Sequence, residues 1–154
     1  AEKYKGRIAT HIIAGLGEND FELFSLINIF LENNVTIALF AFTPVNGSDM
    51  EKFEKLSNER YRKIQAFFYL LKLKKIEFKD IVFESGNIAG IHMPKDAFLN
   101  TLSDGKFLLT SGCSYCNRPY YNEIPGSELY NYPHLPERKI IDDNVQNLCN
   151  CLKF

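Results

Sequence analysis

Up to Thr110 the chain alternates short apolar runs with longer amphipathic stretches. Residues 7–14, Arg-Ile-Ala-Thr-His-Ile-Ile-Ala, are short and β-branched, which predicts a buried strand. Gly15-Leu16-Gly17 breaks the run. Asn19 or Asp20 then caps a helix, with Glu18 and Glu22 near its positive end. Leu23, Leu26, Ile27, Phe30 and Leu31 follow at helical spacing, and Asn33-Asn34 ends the stripe. Residues 35–42 are almost continuously apolar, as in a parallel strand covered on both faces. Thr43 to Gly47 reads as a loop. Ser48 and Glu51 have capping-box spacing, which predicts a long helix carrying Phe53, Leu56, Ile64, Phe67, Phe68 and Leu71 on one stripe. Further strands are expected at 80–84 and 107–110, with a short helix over 94–102 between them. A terminal helix is expected over 137–153.

This order predicts an α/β fold with a parallel sheet and right-handed crossovers. Helices on one face would give a partial (β/α) barrel, parallel strands with outer helices. The pattern by itself also allows a doubly wound sheet. After Thr110 the periodicity stops. Residues 111–136 hold five tyrosines, four prolines and two cysteines. The expected division is therefore a β/α part over 1–110 and an irregular Cys/Tyr-rich extension with a terminal helix over 111–154.

Composition narrows the function classes. The chain has 154 residues, 45% hydrophobic and 24% charged, as in one ordinary globular domain. A formal net charge of -1 argues against a nucleic-acid surface, which is usually basic. Lys72, Lys74 and Lys75 read as the basic end of a helix. No run approaches the roughly 20 apolar residues of a membrane span. The chain opens on Ala1 with no signal-peptide pattern, and reads as a segment of a longer protein. Four cysteines, Cys113, Cys116, Cys149 and Cys151, in a chain without secreted character point to a reducing cytoplasm and to metal or redox chemistry.

Two stretches carry candidate chemistry. Glycines between a strand and a helix let the backbone approach a ligand and present amides at a helix start. A tight strand-to-helix turn with a dipole-compensating Glu18 explains the same residues. Cys113 and Cys116, at i and i+3, can direct two sulfurs at one metal. On spacing, the pair is half a zinc site, half a cluster site or a redox pair. Arg118 offers a planar fork for a carboxylate or phosphate, or ties down the tyrosine-rich tail. Tyr120, Tyr121, Tyr130 and Tyr132 suit packing with hydroxyl partners. Cys149 and Cys151, two apart, do not share a helix face, and read as one buried and one exposed thiol unless the chain unwinds to join Cys113 and Cys116. His11 lies on the first strand, as a core histidine or a ligand. His92 and His134 are isolated.

The longer strings resemble a family. Thr10-His11-Ile12-Ile13-Ala14-Gly15-Leu16-Gly17-Glu18 resembles the Ile-x-Gly-Leu-Gly-Glu stretch of biotin synthase-like radical S-adenosylmethionine enzymes. Pro44-Val45-Asn46-Gly47-Ser48 resembles the Pro-x-x-Gly-Thr loop after that family's next strand. Gly112-Cys113-Ser114-Tyr115-Cys116-Asn117-Arg118-Pro119-Tyr120-Tyr121-Asn122-Glu123 is similar to the C-terminal signature of the two-protein lipoyl synthases. There it continues into Pro-Gly and Tyr-Asn-Tyr-Pro, as Pro125-Gly126 and Tyr130-Asn131-Tyr132-Pro133 do here.

The resemblance implies that Ile13, Gly15, Gly17 and Glu18 lie beside the adenosine part of S-adenosylmethionine. It implies that Cys113 and Cys116 ligate an auxiliary iron–sulfur cluster. Arg118, Tyr120 and Tyr121 would then face the substrate, an octanoyl chain on a lipoyl-carrier protein. The family makes its radical at a four-iron cluster on Cys-x3-Cys-x2-Cys, and that spacing is absent, since Leu109 stands four residues before Cys113. An upstream half of the barrel or a partner subunit would have to supply it. The alternatives are half of another biotin synthase-like radical enzyme, or a non-catalytic module with a structural zinc. In the radical-enzyme readings the cysteine pair should lie on the same side as the glycine turn, at the C-terminal ends of the strands; a structural zinc knuckle would have no need to share that side.

Overall fold

The computed structural model of the chain describes residues 6–112 and 128–154. Strand β1 (Ala9–Ala14) pairs in parallel with β2 (Thr36–Ala41), in register from Ala9 opposite Thr36 to Ala14 opposite Ala41. Helix α1 (Asp20–Glu32) connects them. Its start is set as its sequence demands. The Asn19 side chain accepts from the Glu22 amide at 2.9 Å, and the Glu22 carboxylate accepts from the Asn19 amide at 3.0 Å, a reciprocal capping box. Asn33 closes the helix, and Asn34 takes a left-handed φ of 54° that asparagine tolerates.

Helix α2 (Asn58–Lys72) starts nine residues later than the Ser48–Glu51 spacing predicts, with Ser57 in place of Ser48 as its cap. Ser48 donates to Val45 O at 2.7 Å, and Glu51 accepts from the Gly47 amide at 2.8 Å, so both close a turn within the loop. Ser57 is the cap that works, accepting from the Arg60 amide at 3.2 Å.

Beyond α2 the expected parallel order fails. Strand β3 (Ile81–Glu84) pairs antiparallel with β4 (Asn87–Ile91). Ser85 and Gly86, both at positive φ (48° and 80°), make the two-residue turn whose twist suits a hairpin. The chain's last residues add to this hairpin: Lys153 N donates to Ala89 O and Ile91 N donates to Lys153 O. Gly90 is required there, because a Cβ on it would stand 2.5 Å from Lys153 O. Helix α3 (Lys95–Leu102) falls where expected. The 107–110 run is not a fourth strand. Gly105, at φ 70°, turns the chain into a 3-10 turn over Lys106–Leu108, and a single parallel bridge, Leu109 to Tyr132, follows. Helix α4 (Arg138–Cys151) closes the fold.

Among the described residues the architecture is thus mixed α/β, a small parallel pair and a hairpin with four α-helices. One core serves all of them. Phe24 of α1 meets Phe67 of α2 edge-on, with ring centroids 6.4 Å apart, and Phe67 meets Phe98 of α3. Ile141, Val145 and Leu148 of α4 join the same cluster. Each buried phenylalanine side chain contributes up to about 3 kcal/mol of transfer free energy.

Candidate functional site

Gly15-Leu16-Gly17 stands at the C-terminal end of β1, between strand and helix. Gly15 (φ 99°) and Gly17 (φ 113°) both occupy the left-handed region, which excludes most side chains. A Cβ on Gly15 would also press on Leu56 Cβ at 3.2 Å. Glu18 folds back over the turn. One carboxylate oxygen accepts from the Gly15 amide at 2.7 Å and the other from the Leu16 amide at 2.8 Å. These amides are therefore occupied by the chain's own carboxylate, not presented to solvent as the glycine pattern suggests. An anionic ligand reaches them only by displacing Glu18.

Glu18 is itself held from α2. Arg60 of α2 donates through Nη2 to Glu18 O at 2.8 Å and through Nε to Asp20 Oδ1 at 2.7 Å. Asp20 is 2% exposed, and its second oxygen accepts from the Ile88 amide at 3.0 Å. A carboxylate so deeply buried needs these charge-assisted partners. The Arg60–Asp20 pair thereby joins the end of the glycine turn, α2 and the β3–β4 hairpin. The signal was present in Asp20 and Arg60, each at the first turn of its helix, but nothing in the spacing shows that they meet.

The two faces of the β1–β2 pair differ. Ile12 and Ala14, with their partners Leu39 and Ala41, are buried in the helix-covered core. His11 and Ile13, with partners Ala38 and Phe40, point to the opposite face. Ile13 is 45% exposed, and the His11 ring stacks on Phe40 at 5.6 Å. β1 is thus not buried on both sides, and His11 is not a core histidine. An open groove of about 570 Å³ runs along β1 and α1, lined among others by His11, Ile13, Leu16, Glu18 and Leu26.

Cys113, Cys116, Arg118, Tyr120 and Tyr121 lie outside the described residues. Their described neighbours are anchored. Ser111 Oγ accepts from the Leu39 amide at 2.8 Å, and a Cβ on Gly112 would meet Ala38 Cβ at 2.7 Å. Gly112, the residue before Cys113, therefore rests on the helix-free face of β2. It does so level with His11, which is paired with Ala38, and below the C-terminal mouth.

Cys149 is buried and Cys151 half-buried on α4, which continues unbroken through both. Burial pushes both thiols above their ordinary pKa, against the thiolate that a metal requires. Cys151 donates to Leu148 O at 3.3 Å. Neither is arranged as a ligand. Among the described residues, no three His, Cys, Asp or Glu side chains gather in a way that could hold a metal. His92 and His134 are exposed and separate. No helix among the described residues is long and apolar enough to cross a membrane.

Compared with known protein families, with curated proteins and with solved structures, the chain matches none.

Proposed function

We propose that this chain is the C-terminal part of a radical S-adenosylmethionine enzyme of the biotin synthase and lipoyl synthase kind. Its reaction is then sulfur insertion into a protein-bound octanoyl chain. One observation carries the reading. The Gly15-Leu16-Gly17 turn stands at the C-terminal end of a parallel strand–helix–strand unit, with Ile13 exposed just before it on the helix-free face. Ligands of parallel α/β sheets bind at that end. The match of residues 10–18 and 112–133 to the family's strings adds the chemistry.

In this reading β1 and β2 are two strands of a partial (β/α) barrel. The next strand comes from an upstream half or a partner subunit, across the open edge of β1. That part also brings the Cys-x3-Cys-x2-Cys ligands which this chain lacks. S-adenosylmethionine and that iron–sulfur cluster, when bound, would supply the hydrogen-abstracting chemistry. This chain's residues do the rest. Ile13 gives an apolar contact to the adenosine, and the glycines admit it closely. Glu18 keeps the turn in shape. Cys113 and Cys116 would hold part of an auxiliary cluster, the source of the sulfur. Arg118, Tyr120 and Tyr121 receive the octanoyl substrate on its lipoyl-carrier protein. The setting is a reducing cytoplasm.

The test replaces Cys113 and Cys116 by alanine in the enzyme assembled with its upstream half. Iron content and sulfur insertion should fall while cleavage of S-adenosylmethionine persists. Unchanged iron and unchanged sulfur insertion overturn the assignment.

A further inference from the structure

A turn built on two glycines gains its shape at a cost, because glycine has more backbone freedom to lose than any other residue. Gly15 and Gly17 leave the turn soft unless something outside it fixes its course. The structure supplies that from two directions. From below, the β3–β4 hairpin meets the start of α1. Phe21 N donates to Gly86 O at 2.9 Å, and Ile88 N donates to Asp20 Oδ2 at 3.0 Å. A Cβ on Gly86 would stand 2.9 Å from Asn19 Cγ, so the hairpin turn lies directly against the cap of α1. The Phe21 ring packs edge-on against Phe83 at 5.3 Å.

From the side comes Arg60. One edge of its guanidinium spans the exit of the turn: Nε donates to Asp20 Oδ1 at 2.7 Å and Nη2 to Glu18 O at 2.8 Å. The same Nη2 stands 3.7 Å from the Glu18 carboxylate, whose two oxygens accept from the Gly15 and Leu16 amides. An unbroken chain of contacts therefore runs from the hairpin through Asp20, Arg60 and Glu18 to the turn. A buried ion pair is a poor way to gain stability alone, because an apolar side chain of similar volume often serves as well. What the planar fork adds is geometry, since its two donors keep a fixed spacing that a lysine ammonium cannot reproduce.

We propose that Arg60 is a positioning residue for the glycine turn: it keeps Glu18 over the Gly15 and Leu16 amides, and the fit of the turn to S-adenosylmethionine depends on it. This rests on the reading that the turn receives that cofactor. Arg60→Lys keeps the charge and removes the fork; Arg60→Met keeps the volume and removes both. The first measurement is amide hydrogen exchange on the full chain, at Gly15 and Leu16 and, for reference, at Leu70 on the buried face of α2. Both variants should exchange at least about tenfold faster at Gly15 and Leu16 with Leu70 unchanged, a pattern that global destabilisation does not give. The second measurement is cleavage of S-adenosylmethionine by the chain assembled with the other half of the barrel. There KM for S-adenosylmethionine should rise at least about tenfold while kcat changes less than about twofold, with lysine failing to rescue. If neither Arg60 variant folds, Asp20→Asn, which keeps an acceptor and removes only the charge, should move both readouts in the same direction by a smaller factor. Wild-type exchange at Gly15 and Leu16 in every folded variant, or an unchanged KM in assemblies that cleave S-adenosylmethionine, overturns the proposal alone. A wild-type assembly that forms no 5′-deoxyadenosine overturns the reading of the turn, and the proposal with it.

Discussion

The two edges of the β1–β2 pair have opposite fates. Thr36 N donates to Ile8 O and Phe42 N to Ala14 O, so the odd residues of β2 turn their backbone outward. That edge is closed by the chain itself: at Leu39 the amide donates to Ser111 Oγ, and the carbonyl accepts from Tyr61 Oη at 3.1 Å. Thr110 and Tyr132 then bond beside it. The outer edge of β1 is the reverse. By the same alternation Ala9, His11 and Ile13 turn their amides and carbonyls away from β2, and no strand among the described residues pairs with them. Beside them Leu26 and Ile29 of α1 are exposed, 44% and 54%. Unpaired edges recruit strands. Among the described residues the β1–β2 pair is therefore open to a further strand at β1 and closed at β2.

The largest effect should come from breaking the closed side. Arg62→Ala leaves the Leu129 and Tyr130 carbonyls and Gln65 without their cation, and should cost about 3–5 kcal/mol by denaturant unfolding. Next is the support under the glycine turn. Asp20→Ala strips Arg60 and the Ile88 amide of their acceptor and should cost about 2–3 kcal/mol.

A smaller effect has a pH signature. Tyr69 lines a hollow next to Leu39 and Ser111 on the closed side, and donates to Asp104 Oδ2 at 2.7 Å. Burial and the Asp104 carboxylate push its hydroxyl well above the ordinary tyrosine pKa of 10.0. The unfolded tyrosine ionises first, so its contribution is full below pH 10 and fades as pH rises above that value. Tyr69→Phe should cost about 1 kcal/mol at neutral pH and flatten the alkaline loss of stability. The smallest change in stability should be on the open side. Ile13→Lys should shift unfolding by less than about 0.5 kcal/mol, because the side chain already stands half in solvent on the helix-free face. A large loss of stability there would mean that this face of β1 is not open.

Much of this contrast was legible in the sequence, and its limits are physical. The β1–α1–β2 unit, the Asn19 cap and helices α3 and α4 follow from local rules, where propensity, capping and periodicity agree. The later start of α2 does not, because the Phe53 and Leu56 stripe continues across residues that turn rather than coil. The β3–β4 hairpin had a signal, Ser85-Gly86 between apolar runs, but residues 80–84 also suit a parallel strand. Residues 107–110 look like a strand until Gly105 turns the chain. The Arg60–Asp20 and Arg62–Gln65 networks bridge residues tens of positions apart, and no local pattern encodes such meetings. The glycine turn was legible as a turn, but not that Glu18 would occupy its amides.

The central claim is radical cleavage of S-adenosylmethionine at the β1 turn. It is tested most directly by anaerobic formation of 5′-deoxyadenosine from S-adenosylmethionine and dithionite. The assay needs the chain assembled with the half of the barrel that the proposal assigns to another segment or subunit, as wild type and as Glu18→Ala. The account predicts product from the wild type and at least about tenfold less from Glu18→Ala, since the turn loses the carboxylate that shapes it. Absence of 5′-deoxyadenosine from the iron-loaded wild-type assembly would contradict it.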